Sequence, residues 1–527
     1  MARTPLLTEL QRLAAHFDRQ VSRRDFIKAT GATMGAAAFS SPIAALAASR
    51  GAGGPTPRIA IVGGGISGLN AALTLQDAGY AATVYEASNR WGGRMHSDTT
   101  TWANNQTSEH CGELIDSGHK TILKLANRFN LATVDLLGAE PNQSTDTYYF
   151  GRQYYTKAEA DGDFQAVYNA VHKDANAAGY PTLWNSSNAA GQALDRMSVY
   201  QWIESRVPGG HTSRMGQLLD IAYNIEYGNV SSEQSALNLV YLLAFQPVPG
   251  NFRIFGASDE RYHIRGGNER LPAAIAASLP QPNLHLNTAL TAIARNSDGT
   301  HTLSFSGPSG AVTPPPFDRV ILAIPFSVLR TLNYSQAGFD SLKVTAITEL
   351  GYGKNAKLQL QFSTRLWNQS GAWGIGTGTS FSDRGYQNTW DVTRAQDGTT
   401  GILVDYTGGG VPLASFKGQP TTADAVAYGT TFLKQLEPVF PGISNQWNGL
   451  ATLDTPLTNP NLLGSYSYWK VGQYTAFSGY EGVRQGRCHF GGEHCSTNFQ
   501  GYMEGGAQEG VRAANEILSD YKAGVFP

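Results

Sequence analysis

Arg58-Ile59-Ala60-Ile61-Val62-Gly63-Gly64-Gly65-Ile66-Ser67-Gly68 is the stretch that decides the fold. Its first half is a short apolar run, the pattern of a parallel strand buried on both faces. The glycine-rich half follows without a spacer. Leu69, Ala72, Leu73 and Leu75 then recur at near-helical spacing until Gly79. Ala82 to Tyr85 is a second apolar run, and Glu86 closes it. The order is strand, G-x-G-x-x-G turn, helix, strand, acid, and each part has a physical task. Gly63 permits the tight turn, Gly65 lets the backbone approach a pyrophosphate, and Gly68 lets the helix pack on the strand. The helix N-terminus offers N–H groups and a positive dipole, and Glu86 can accept ribose hydroxyls. The expected dinucleotide-binding set here is Gly63, Gly65, Ser67, Gly68 and Glu86. The fold class that follows is α/β.

The acid disfavours a ribose 2′-phosphate but does not separate NAD from FAD. The next residues do. Glu86-Ala87-Ser88-Asn89-Arg90-Trp91-Gly92-Gly93-Arg94 sets two arginines around a glycine pair directly after the ribose acid. Arginines there can reach phosphate oxygens, and the glycines let the chain pass close to a cofactor. This E-x-x-x-R-x-G-G-R run resembles the FAD-binding start of the flavin amine oxidase family, the monoamine oxidases and L-amino-acid oxidases. His263-Ile264-Arg265-Gly266-Gly267-Asn268, the runs Leu284 to Ile293 and Arg319 to Pro325, and the closing Phe490-Gly491-Gly492-Glu493-His494-Cys495 and Gly501-Tyr502-Met503-Glu504-Gly505-Gly506-Ala507 support it. From Met503 onward Ala507, Val511, Ala514 and Leu518 mark an amphipathic helix.

The resemblance implies a Rossmann-like FAD-binding domain interwoven with an α+β substrate domain, a mixed sheet flanked by helices. The expected division is 1–54 signal and linker; 55–115, 263–330 and 461–527 FAD-binding; 116–262 and 331–460 substrate-binding. It also implies that Arg94, Leu290, Glu493 and Met503 meet the FAD. Lys357, in Lys357-Leu358-Gln359-Leu360-Gln361-Phe362, matches the family lysine that reaches flavin N5 through a water. Strand-like alternation puts Lys357, Gln359 and Gln361 on one face, which could equally be solvated. Ser465 stands where the monoamine oxidases carry the cysteine bonded to flavin, so FAD is expected to be non-covalent. Tyr466 and Tyr502 match the aromatic pair that flanks the substrate amine, and with Lys357 they form the expected catalytic set.

Composition narrows the alternatives. The 39 Lys+Arg nearly balance the 41 Asp+Glu, leaving no global basic field for nucleic acid. Three cysteines in 527 residues are not a disulfide framework. Cys488, His489, Glu493, His494 and Cys495 are metal-ligand types, but their spacing fits no common zinc site, and no metal is expected. Ser22-Arg23-Arg24-Asp25-Phe26-Ile27-Lys28 resembles a twin-arginine signal, with a broken Ala/Gly-rich run and Ala45-Leu46-Ala47 behind it. Export to the periplasm or beyond is expected, without stable membrane insertion. A homodimer is left open.

The implied reaction is oxidation of a C–H next to an amine, with molecular oxygen as acceptor and hydrogen peroxide as product. The exported bacterial members that the chain resembles include L-amino-acid oxidases, so oxidative deamination of L-amino acids to 2-oxo acids and ammonia is the leading expectation. Its carboxylate clamp would come from Arg206, Arg214, Arg253, Arg261 or Arg365. A monoamine or polyamine oxidase is the alternative, with Glu113, Asp259 or Glu260 as acids for a polyamine. A desaturase or flavin-bearing binding protein of the same architecture is a further one.

Overall fold

The computed structural model describes residues 57–246, 248–410 and 421–525. The twin-arginine segment and the rest of 1–54 lie outside the described residues. Ile59–Val62 is a strand buried along its whole length, as its uninterrupted apolar run requires. It runs parallel between Arg319–Leu322 and Thr83–Tyr85, with Ala60 opposite both Val320 and Thr83. Cys488–Phe490 extends this sheet beyond Arg319–Leu322, and Leu284–His285 completes it beyond Thr83–Tyr85. The central sheet is thus parallel and is built from strands drawn from distant parts of the chain. The neighbouring run with Leu290 behaves differently. Ala289–Arg295 leaves the parallel sheet and joins a separate four-stranded one.

The first described helix runs Ile66–Asp77 and begins directly after the glycine turn, with Gly65 as its N-cap. The closing helix, Met503–Lys522, packs across it through small residues. A Cβ on Gly510 would lie 2.1 Å from the Ser67 carbonyl oxygen, so the two backbones approach closely only because this residue is glycine. Asn70 Nδ2 donates to the Ala507 carbonyl at 2.9 Å across the same contact. The Glu504 carboxylate accepts from the backbone N–H groups of Thr121 and Ile122, capping the helix Lys120–Arg128.

A seven-stranded mixed sheet forms the other layer, in the order Trp447–Asp454, Ala356–Phe362, Gly401–Thr407, Asn388–Asp391, Gly376–Ser382, Thr145–Phe150 and Gln153–Tyr155. Only Gly376–Ser382 and Thr145–Phe150 pair in parallel. Helices Lys157–Ala178, Val199–Arg206, Arg214–Tyr227 and Ala236–Leu243 surround Trp202, Tyr223, Tyr227 and Tyr241, all buried in one core. Among the described residues no helix is long and apolar enough to cross a membrane.

The strand Ala356–Phe362 is buried on both faces, so its polar face is not solvated. Gln361 bonds the backbone of Ala103 in both directions, at 3.0 Å each, and donates to Gln106 Oε1. Gln359 donates to the Glu109 carbonyl at 3.3 Å. The segment from Ala103 to Glu109 covers this face, and Gln361 replaces the water it loses, whereas the buried Oε1 of Gln359 has no hydrogen-bond partner among the described residues.

The helix crossing is directly testable. Gly510→Ala should destabilise the protein by about 1–3 kcal/mol, because a backbone carbonyl cannot move aside as a side chain would. Gly162→Ala, in an open helical position with nothing within 4 Å, should stabilise by about 0.5–1 kcal/mol. Denaturant melts of both variants beside the parent check the pair of signs.

Candidate active site

One cavity of about 1020 Å³ runs between the parallel sheet and the seven-stranded sheet. It lies at the upper end of the range for small-molecule sites. Gly63, Gly65, Ser67, Glu86, Arg94, Leu290, Glu493 and Met503 all line it, and so do Lys357, Tyr466 and Tyr502. Gly68 is not on the wall. A Cβ there would sit 1.9 Å from the Gly63 carbonyl oxygen, so its glycine serves the packing of helix on turn.

The residues of the turn fit a dinucleotide. Gly63 has φ +106°, and a Cβ on it would lie 2.6 Å from the Ala323 carbonyl oxygen. Gly65 has no such reason to be glycine: its φ is −74°, and the nearest atom to a Cβ would be the Gly92 carbonyl at 3.9 Å. The space is reserved on the cavity side, where a pyrophosphate would pass. Ser67 Oγ, buried beside it, has no hydrogen-bond partner among the described residues. Glu86 accepts from Gly64 N at 2.7 Å and from Ser88 N and Oγ at 2.8 and 2.7 Å. A carboxylate has about four lone-pair sites, so one remains for a ribose hydroxyl. The N-terminal end of the closing helix, at Met503, reaches the same cavity.

Glu493 lines the cavity and is also held from within the protein. Its Oε1 accepts from Arg94 Nη1 at 2.8 Å and Ser467 N at 3.1 Å. Its Oε2 accepts from Ser467 Oγ at 2.7 Å and Gly501 N at 2.8 Å. These four donors fill the carboxylate. It is a buried brace that holds Arg94 in the wall. Burial would raise its pKa, but the Arg94 guanidinium prevails and holds it below the usual carboxylate range. Arg94 Nη1 also donates to the Ser465 carbonyl at 2.9 Å.

Lys357 is buried at the cavity wall, with Nζ 2.8 Å from Glu113 Oε2 and 3.2 Å from the Glu109 carbonyl. Tyr466 shares a 3.0 Å hydroxyl contact with Tyr406 and donates to the Ile225 carbonyl at 3.1 Å. Tyr502 donates to Glu226 Oε1 at 2.9 Å. Glu226, Tyr406, Trp390 and Arg394 also line the cavity and carried no sequence signal. Glu226 sits among the core tyrosines of its helix, and the other three lie on or just past strands with no motif. Of the five clamp candidates, Arg253 alone lines the cavity among the described residues, and it is solvent-exposed. Arg206, Arg214 and Arg261 pair with Asp174, Glu159 and Asp135, and Arg365 donates to the carbonyls of Thr400 and Gln396.

The profile of the family described as flavin containing amine oxidoreductase matches residues 66–518, and the chain belongs to that family. It is an enzyme, and its cofactor is FAD. The putative L-amino-acid oxidase YobN of Bacillus subtilis is 23% identical over 481 residues, covering 87% of this chain and 94% of that one. Probable polyamine oxidase 4 of Arabidopsis thaliana is 24% identical over 470 residues, covering 87% and 86%. A solved putrescine oxidase bound to putrescine superposes with a TM-score of 0.73 at 19% identity, covering 88% of this chain and 99% of its own.

The reserved space at Gly65 separates cofactor binding from folding. Gly65→Ala should change apoprotein stability by less than about 1 kcal/mol, the scale of an N-cap change. Its FAD dissociation constant should rise about tenfold or more, equivalent to about 1.4 kcal/mol. Flavin-fluorescence titration of apoprotein checks this, and unchanged affinity would show that the space is not needed by the dinucleotide.

Proposed function

We propose that the protein oxidises amines that carry a second cationic group, of the diamine or polyamine class, with non-covalently held FAD and oxygen as acceptor. Amine, oxygen and water would give aldehyde, ammonia and hydrogen peroxide. Bound FAD supplies a two-electron acceptor for the amine C–H bond. The chain's part is to bind, orient and strip water from the substrate. The observation that carries the substrate class is the charge of the wall. Asp146, Asp259 and Glu260 line the cavity without a Lys or Arg ion-pair partner among the described residues. Of the lining cations, Lys357, Arg394, Lys157 and Arg94 are taken by Glu113, Glu140, Asp161 and Glu493, Arg90 donates to backbone carbonyls, and Arg253 alone is solvent-exposed and without an ion-pair partner among the described residues. A wall of that sign concentrates cationic ligands.

The carboxylate of an L-amino acid is attached to the reacting carbon, so its clamp must stand beside the aromatic pair. Glu226, an acid, accepts a hydrogen bond from Tyr502 of that pair. The L-amino-acid reading is favoured by the name of the Bacillus relative and by Arg253 on the wall. It would require Arg253 to turn inward.

Non-covalent attachment is supported by Ser465, whose Oγ donates to Asn355 Oδ1 at 2.6 Å. The cysteine on the wall is Cys111, and burial pushes its thiol up to about 11, which leaves it protonated and a poor nucleophile. Export by the twin-arginine route, on the Ser22 to Lys28 run, belongs to the same proposal.

Peroxide release from a panel of diamines, polyamines, monoamines and L-amino acids tests the reading. Diamines or polyamines should lead the panel. Preference for L-amino acids, abolished by Arg253→Met, would replace this proposal with the L-amino-acid oxidase. The pH dependence is a second check. Burial raises the Glu260 carboxyl to about 7, so it gains charge as pH rises through that value. Because the ligand is cationic, KM for a diamine should fall as pH rises through about 7. Glu260→Gln should flatten that step while leaving kcat less affected.

A further inference from the structure

Lys357 does not stand alone in the wall. Its ammonium has three N–H donors, of which Glu113 Oε2 takes one at 2.8 Å and the Glu109 carbonyl another at 3.2 Å. The other oxygen of Glu113, Oε1, accepts from Trp390 Nε1 at 2.9 Å. Lys357 Nζ also lies 5.3 Å from the centroid of the Trp390 ring. The Lys357 and Glu113 side chains are 7% and 6% exposed, so neither charge can be met by bulk water. Three elements converge on this unit: the strand Ala356–Phe362, the strand Asn388–Asp391 and the loop that carries Glu109 and Glu113.

We propose that Glu113 is a positioning residue: with Trp390 it keeps Lys357 charged and fixed, so that the cavity wall presents a balanced ion pair rather than a bare cation. The proposal rests on the reading of this cavity as the flavin site. A buried ammonium without a counterion gives up its proton far below its ordinary pKa, and a buried carboxylate without one takes up a proton. Each member therefore depends on the other for its charge. Burial acts to raise the Glu113 carboxyl, but the Lys357 ammonium overrides it and holds the group below the usual range. Other titratable groups surround the pair. Asp454 and Tyr406 stand opposite Lys357 on its two flanking strands. His110 bonds Asp454, and His263 bonds Glu109. Cys111, Arg90 and Arg94 follow on the cavity wall. All of these remain when only the pair is altered, so a double variant isolates it.

The test is a pH titration of the visible flavin band of the holoenzyme, which reports charge changes beside the ring. Between about pH 6 and pH 9.5 the Glu113→Gln variant should show a transition that the parent lacks, at least about two units below the ordinary lysine value near 10.4. Glu113→Gln combined with Lys357→Met should lose it again. If Glu113→Gln does not retain FAD, the pair is read from its other side. Lys357→Met should show a carboxyl transition above the ordinary glutamate value near 4.3, absent from the double variant. A Glu113→Gln profile like the parent's, or a new transition that survives Lys357→Met, overturns the proposal. A parent purified without flavin colour and unable to take up FAD would instead overturn the reading of the cavity itself.

Discussion

The buried carboxylate of Glu493 is the constraint on which the site depends. It gathers the Arg94 guanidinium, the Ser467 backbone and hydroxyl, and the Gly501 N–H into one set of hydrogen bonds. Arg94 follows the ribose acid near the start of the described chain, and the other three belong to its last eighth. The dinucleotide turn and the closing helix can share one cavity because this carboxylate ties their ends together. Breaking such a buried pair by removing one partner costs about 3–5 kcal/mol, since the remaining charge is stranded. The glycine contact between Gly510 and Ser67 serves the same closure from the helix side.

Much of the parallel layer is legible in the sequence because its signals are local. An apolar run, a glycine turn and an amphipathic helix follow one another without a gap, and each reports its own geometry. The start of the first helix at Ile66 rather than Leu69 is a matter of capping, since Gly65 takes the N-cap position in an extended conformation. The polar face of the Lys357 strand is the instructive case. Alternation identifies the strand but cannot tell water from a covering loop that lies some 250 residues earlier in the chain. Glu226, Trp390 and Arg394 were illegible for a related reason. Each acquires its role from a partner on another element, and no spacing within its own segment announces it. The five arginines considered as clamps show the converse: residue type alone nominated them, and the fold commits three to carboxylates and one to backbone carbonyls away from the cavity.

The cavity is organised as a gradient of charge. At the glycine turn the N-terminus of the helix Ile66–Asp77 meets the cavity, while Arg90 donates to the carbonyls of Trp91, Gly93 and Met95 and Arg94 to Glu493 and the Ser465 carbonyl. Toward the seven-stranded sheet, Lys357 and Arg394 are neutralised by Glu113 and Glu140, while Asp146, Asp259 and Glu260 have no Lys or Arg ion-pair partner among the described residues. Between the two lie Tyr466 and Tyr502, each anchored through its hydroxyl, so that two ring faces are held in place before any substrate arrives. A cationic amine would be drawn along the acidic wall and oriented by the rings. No side-chain nucleophile is required, because the bound cofactor takes the electrons.

The dinucleotide cradle and the acidic wall line one cavity, and together they would form one working site. Anaerobic addition of a diamine to the yellow holoenzyme tests it most directly, with the flavin absorbance followed in a stopped-flow instrument. The diamine should bleach the flavin stoichiometrically, and oxygen should then restore the colour. A flavin that stays oxidised in the presence of diamines and polyamines, yet is bleached by L-amino acids or only by a nicotinamide donor, would contradict it.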